Sequence, residues 1–211
     1  MKKIVFADIS MKGILHGACY KGSGNANCNY DKEVVYPINA VLSDKLTKED
    51  DVKVVLIQAV DDSDEYEKSK VVKNTQLFKD ELDEINKAIG AKINYVEVKT
   101  DYSDSKADHE NRIMLILEQM EEGAELYGDI TFGPRTVPMV MLSAFAFAEK
   151  FYDADIKKIV YGNVKWDKSG KPVDPKLFDI TSLHYLNSLT YNMQPDTKEE
   201  AMKALKLFFS L

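Results

Sequence analysis

Apolar positions follow two rhythms along this chain. Short, nearly unbroken runs recur at residues 3–9, 52–60, 93–98, 126–131 and 156–162. Each has strand length. The run at 52–60 is β-branched almost throughout, as in a strand covered on both faces. Between these runs, apolar residues return every three or four positions. Residues 34–46 read as a helix with Pro37 in its first turns. In residues 70–89, Val71, Thr75, Phe78, Leu82, Ile85 and Ile89 share one helical face, and Gly90 supplies a stop. Asp108 is placed to cap a helix to about Glu122, buried through Ile113, Ile116, Leu117 and Met120. Arg112, in its first turns, is expected to face solvent or an acidic neighbour. Residues 137–151 form an apolar helix. This alternation predicts an α/β protein with a mainly parallel sheet, right-handed crossovers and helices on both faces.

After Gly162 the rhythm changes. Residues 166–172 are rich in turn formers and suggest a hairpin tip. Residues 177–181 read as a short strand or cap. A helix follows through Leu183, Leu186 and Leu189, and Thr197 can cap a last helix over 198–211. The expected organisation is one ligand-binding domain at 1–165 and a hairpin and short helical C-terminal extension at 166–211, packing on that domain or on a dimer partner. The Phe208-Phe209-Ser210-Leu211 ending calls for such a partner.

Two loops carry most of the chemistry. Residues 10–30 are polar and hold Gly13, Gly17, Gly22 and Gly24 with Tyr20, Lys21, Ser23, Asn25, Asn27, Asn29 and Tyr30. A loop of this length inside a domain is usually functional or disordered, and its composition suggests mobility without ligand and order with it. The second loop is Phe132-Gly133-Pro134-Arg135-Thr136, leading into Val137 and Pro138. Thr136 is a candidate N-cap, and Pro138 suits a first helical turn. A helix start beside a glycine turn directs N–H groups outward, where an anion is favoured. Arg135, one of two arginines in the chain, offers a planar fork for phosphate. An ordinary strand-to-helix connection with an exposed arginine is the alternative. Both loops leave the carboxyl ends of strands, where ligands bind in open α/β sheets. Neither a Walker A loop nor a GxGxxG fingerprint is present.

Composition narrows the classes. At 211 residues, 45% apolar and 30% charged, the chain suits a single globular core. No apolar run reaches bilayer-spanning length. The start Met1-Lys2-Lys3 resembles a signal peptide, but Asp8 interrupts its apolar stretch. The expected location is the cytoplasm, with Cys19 and Cys28 as reduced thiols. A net charge of −7 argues against gripping duplex DNA but not against a small phosphorylated ligand. Residues 61–65 are acidic and read as a solvated loop, lacking EF-hand register. His16, Cys19 and Cys28 lack paired zinc spacing. No cofactor or metal is expected.

The stretch Asp129-Ile130-Thr131-Phe132-Gly133-Pro134-Arg135-Thr136-Val137-Pro138 resembles the DxTHG motif of CRISPR-associated proteins with a CARF domain. Tyr161-Gly162 at the end of the next strand, Asp179-Ile180-Thr181 downstream, and the first strand with its polar loop are also similar to that family. Phe132 stands where the motif has histidine. The resemblance implies a Rossmann-like domain that dimerises and binds cyclic oligoadenylate, a ring RNA messenger of type III CRISPR immunity, across the two-fold axis.

On that resemblance the site residues are Asp8, Ser10, Met11, Lys12 and Tyr20 from the first loop. Thr131, Phe132, Gly133, Pro134, Arg135 and Thr136 come from the second. A symmetric ring suits a two-fold interface, and Phe132 could stack on a base. Relatives often carry a HEPN ribonuclease with an Arg-x4-6-His pair, and neither Arg112 nor Arg135 has one. A ring nuclease remains open. Ser10 or Thr131 would orient a ribose 2′-hydroxyl, and Lys12 or Arg135 would neutralise charge on the phosphate, which makes Ser10, Lys12 and Arg135 its catalytic candidates. Ligand contact without turnover is the other outcome, since no positioned base is visible. A Rossmann-like domain for an unrelated phosphorylated metabolite is the third.

Overall fold

In the computed structural model, which describes residues 1–23, 26, 28–61 and 63–210, the strand-length runs assemble as one sheet. Gly24, Asn25 and Asn27 of the first loop, Asp62 of the acidic loop and Leu211 of the last helix lie outside these residues. The chain runs β1 (Lys2–Asp8), β2 (Lys21–Ser23), α1 (Pro37–Lys45), β3 (Asp51–Ala59), α2 (Glu65–Ile89), β4 (Lys92–Thr100) and α3 (Lys106–Leu117). It continues through β5 (Glu125–Asp129), α4 (Val137–Phe151), β6 (Asp155–Trp166), β7 (Pro172–Asp179), α5 (Thr181–Asn192) and α6 (Lys198–Phe208).

Among the described residues the strand order is β2-β7-β6-β5-β1-β3-β4. β4, β3, β1, β5 and β6 are parallel neighbours, and β7 returns antiparallel to β6. β1 is the pivot. The chain moves outward from it to β3 and β4, then comes back to lay β5 on its other side. The crevice beyond the carboxyl ends of β1 and β5 is therefore the topological switch point.

Alternation along β1 and β3 divides the core. Val5, Ala7, Val54 and Leu56 pack with α1 and α2, through Ile38, Leu42, Phe78 and Leu82. Ile4, Phe6, Val55 and Ile57 pack with α3 and α4, through Ile116, Met141, Ala144 and Phe145. Gly128 lets α4 lie close: a Cβ there would stand 3.1 Å from both Met141 and Phe145.

Several boundaries differ from the sequence reading, each for a local reason. α1 begins at Pro37 rather than residue 34 because Ala18 and Val34 form a bridge that keeps the preceding backbone extended. α2 begins at Glu65, well before residue 70, because Asp64 caps it by accepting from the Tyr66 and Glu67 N–H groups. α3 is capped by Ser105, not Asp108, which closes the capping box from the N3 position, and the helix stops at Leu117 rather than Glu122. β7 is longer than foreseen and joins the sheet. β2, unforeseen, pairs with it from within the first loop. In α6 no residue is buried, and Phe209 is exposed. No helix among the described residues is long and apolar enough to cross a membrane.

Candidate functional site

At the switch point the Asp-x-Thr sequence works as a staple. Asp129 is buried. Its Oδ1 accepts the Thr131 N–H at 2.8 Å, and its Oδ2 accepts the Ile38 N–H at 3.1 Å, at the start of α1. Burial lifts its carboxyl to about 6, against the pull of the bonds from Thr131 and Ile38. The Thr131 hydroxyl accepts the Gly162 N–H at 2.9 Å, tying the loop after β5 to β6. Asp179 and Thr181 repeat the device. The Thr181 N–H donates to Asp179 Oδ1, and the Thr181 hydroxyl accepts the Ile159 N–H, also at 2.9 Å on β6. Both motifs thus end a strand and fasten the turn to the same neighbour.

Glu81 of α2 completes the start of α1. Its carboxylate accepts the N–H groups of Val35 and Tyr36 at 2.6 and 3.3 Å, and the Asn39 amide at 3.2 Å. Two protein carboxylates therefore hold donors that an anion could otherwise take. The start of α4 is also poorer in free donors than the sequence suggested. The Val137 N–H turns back to Pro134 O at 3.0 Å, and Pro138 has no N–H. Thr136 occupies the N-cap position without capping. Its hydroxyl donates to Asp104 and receives Arg112 Nη1 at 3.5 Å.

Arg112 corrects an expectation. It is fully buried, not solvent-facing, and its Nη2 donates to the Asp101 carbonyl at 2.7 Å. The guanidinium reaches beneath the motif loop, 3.8 Å from Asp104. Close by, Asp8 is buried with one carboxylate oxygen unpartnered, as is Arg112 Nε. Burial pushes the Asp8 carboxyl well above the usual range, Arg112 pulls it back, and Asp129 adds to the rise. Gly133 sits directly over Asp8 with φ +86°, and a Cβ there would lie 2.4 Å from the Asp8 carboxyl carbon. Only glycine meets both the torsion and the contact.

The two loops meet around two adjoining cavities. One, of about 410 Å³, is lined by Lys12, Tyr20 and Phe132 with Tyr161, Asn163 and Trp166 of β6. His16 also reaches it, its ring 5.5 Å from that of Trp166. The other, of about 380 Å³, is lined by Ser10, Met11, Gly133 and Pro134 with Glu67 and Tyr102. Lys12, Thr131 and Phe132 border both. Phe132 packs its ring edge-to-face on Tyr36 at 5.2 Å. Tyr161 stacks on Phe178.

The structure thus brings Ser10, Met11, Lys12, Tyr20, Thr131, Phe132, Gly133 and Pro134 to one place. Asp8 lies beneath it, Thr136 beside it, and Arg135 is exposed next to it, in neither cavity. Lys12 and Arg135 make no ion pair among the described residues. Ser10 is buried to 1% exposure, its Oγ taking the Lys12 N–H at 3.3 Å. The loop base is pinned: Asn74 donates its amide to the carbonyls of Ser10 and Lys12, at 2.6 and 3.0 Å. Sequence reading missed the β6 wall. In the sequence Tyr161 carries only a motif letter, and Trp166, the single tryptophan, belongs only to a turn. Tyr102 and Glu67 carried no signal, because a fold-level crossing brings them in.

No family model matches the chain, and comparison with curated proteins finds no match. Among the described residues no group of three or more His, Cys, Asp or Glu is placed to hold a metal, and both cysteines are free.

Proposed function

We propose that this chain is a cytoplasmic sensor that binds a cyclic oligoadenylate across a homodimer axis, acting in type III CRISPR antiviral signalling. The observation that carries the reading is the convergence of the first loop and the Asp129–Thr131 loop on paired, aromatic-walled cavities at the switch point, with Lys12 uncommitted between them. Aromatic walls accept bases by stacking. An unpaired ammonium, with Arg135 beside it, accepts phosphate.

Binding without turnover fits this geometry better than ring cleavage. The Ser10 hydroxyl is buried against the Lys12 N–H, and the Thr131 hydroxyl is engaged by Gly162. Each hydroxyl oxygen already accepts a backbone N–H, which makes it a poorer acceptor for the proton of a ribose 2′-hydroxyl. The deciding experiment incubates the protein with labelled cyclic tetra- and hexaadenylate in EDTA. Intact, retained ring supports the sensor. Cleavage assigns a metal-independent ring nuclease instead. No binding to either ring overturns the reading and leaves a domain for another phosphorylated metabolite. Light scattering with and without ligand tests the dimer, and a monomer in both conditions would refute it.

A further inference from the structure

A groove of about 660 Å³ runs between α4 and α5 and shares no residue with the two crevice cavities. α4 gives it Met139, Leu142 and Ala146, which stand at helical spacing along one face. α5 gives it His184, Asn187 and Tyr191. His184 is buried, and its Nε2 lies 3.3 Å from Glu149 Oε2, which ties the two helices together at one end. At the other end Met139 is 69% exposed.

α6 is a helix without a seat. Ala201, Ala204, Leu205 and Phe208 are half-buried, and the apolar arc continues past them to Met202 and Phe209, which are 46% and 68% exposed. No residue of α6 is buried, and none lines the groove of its own chain. Helix and groove match in length. The 11 residues of α6 extend about 16 Å, as does α4 from Met139 to Lys150. They also match in charge. Lys150 lies over the Phe151 ring and Glu199 stands in the first turn of α6, and neither makes an ion pair among the described residues. Pairing these two charges runs α6 antiparallel to α4. Met202 then falls beside Ala146, and Phe209 beside Met139, where thioether and ring attract.

We infer that the α4–α5 groove receives α6 of a second copy of this chain and that each copy gives its own α6 in return, a helix-in-groove exchange that a two-fold dimer closes. It rests on the homodimer of the reading above and on nothing about its ligand. Light scattering of the full chain tests it, with the double variant Met202→Asp, Phe209→Asp. Both side chains are exposed, so the variant keeps the fold of one chain, which an unchanged circular dichroism spectrum checks. Cross-linking then identifies the seat. In a Cys19→Ser, Cys28→Ser background, a chain carrying Ala146→Cys is co-expressed with a longer, tagged chain carrying Met202→Cys, and the pair is mildly oxidised.

The expected result is a wild-type dimer and a double variant whose dimer is weaker by at least about a hundredfold, since every contact in a two-fold interface is lost twice. The expected cross-link is a disulfide between the short and the long chain. A double variant that dimerises as tightly as wild type overturns the exchange and leaves the homodimer standing. So does the absence of the mixed disulfide, and so does a chain carrying both Ala146→Cys and Met202→Cys that closes its disulfide within itself. A monomeric wild-type protein overturns the exchange and the homodimer together.

Discussion

Arg112→Ala should be among the most damaging single changes in this protein, although it removes a charged residue from the first turns of a helix. The side chain is fully buried and gives up one good hydrogen bond, Nη2 to Asp101 O at 2.7 Å. Two longer contacts, at 3.4 Å to Ser103 O and 3.5 Å to Thr136 Oγ1, go with it. The short charged bond contributes about 1.5–3 kcal/mol, and the long ones little. Loss of the buried methylenes adds a cavity term. Breaking a buried charged cluster by removing one partner costs about 3–5 kcal/mol, and we expect a loss in that range. For a chain of this size that lowers the melting temperature by roughly 6–20 °C. Arg112→Lys keeps the charge and stem but not the fork, so it should lie between the two. Urea denaturation and thermal melts of the ligand-free protein measure both. Arg112→Ala within about 0.5 kcal/mol of wild type, the range of an ordinary surface substitution, would refute the placement of Arg112 under the motif loop.

Other expectations follow from the same crevice. Arg135→Ala should leave the melting temperature unchanged, since Arg135 is exposed and unpaired among the described residues. It should also weaken cyclic oligoadenylate at least about tenfold by removing a charged contact, and a lowered melting temperature with unchanged affinity would make it structural. Gly133→Ala should destabilise by about 2–4 kcal/mol, combining a left-handed torsion with a clash against Asp8; a near-neutral result in a urea titration would show that the loop is free to move. Asp129 titrates near 6 when folded and near 3.8 unfolded. The native state therefore holds the extra proton between those values, so this group's contribution is fullest below about pH 4 and is lost as pH rises through 6, a change of about 3 kcal/mol at most. Wild type should lose stability relative to Asp129→Asn between pH 4 and pH 7.5, and parallel profiles would show that Asp129 is not desolvated.

Much of the fold was already present in local pattern. The strand runs, the α2 stripe of Val71, Thr75, Phe78, Leu82 and Ile85, and the bounds of α4 all come from periodicity and side-chain burial, which depend on a few neighbouring residues. The parallel order followed from the alternation of strands and helices, and with it the edge where both loops open. Arg112 stands four residues before Ile116 and so on the same helical face. Its spacing pointed inward, and only its charge suggested otherwise. The carbonyls of Asp101 and Ser103 that make its burial tolerable lie in a loop whose path no local pattern encodes.

The tertiary structure alone decided what the motif letters do. In the sequence Asp129 is only a motif letter and Thr131 a candidate ligand contact; in the fold the Asp129 carboxylate holds the start of α1 and the Thr131 hydroxyl is tied to β6, because the packing of α1 and the pairing of β5 with β6 bring those N–H groups within reach. It also decided which far residues complete the crevice. Trp166 and Tyr161 arrive because β6 runs on into a hairpin with β7, and Tyr102 and Glu67 because β4 ends and α2 begins there. Such partners are set by chain crossings between segments distant in sequence, and a single sequence records the residues but not the crossings.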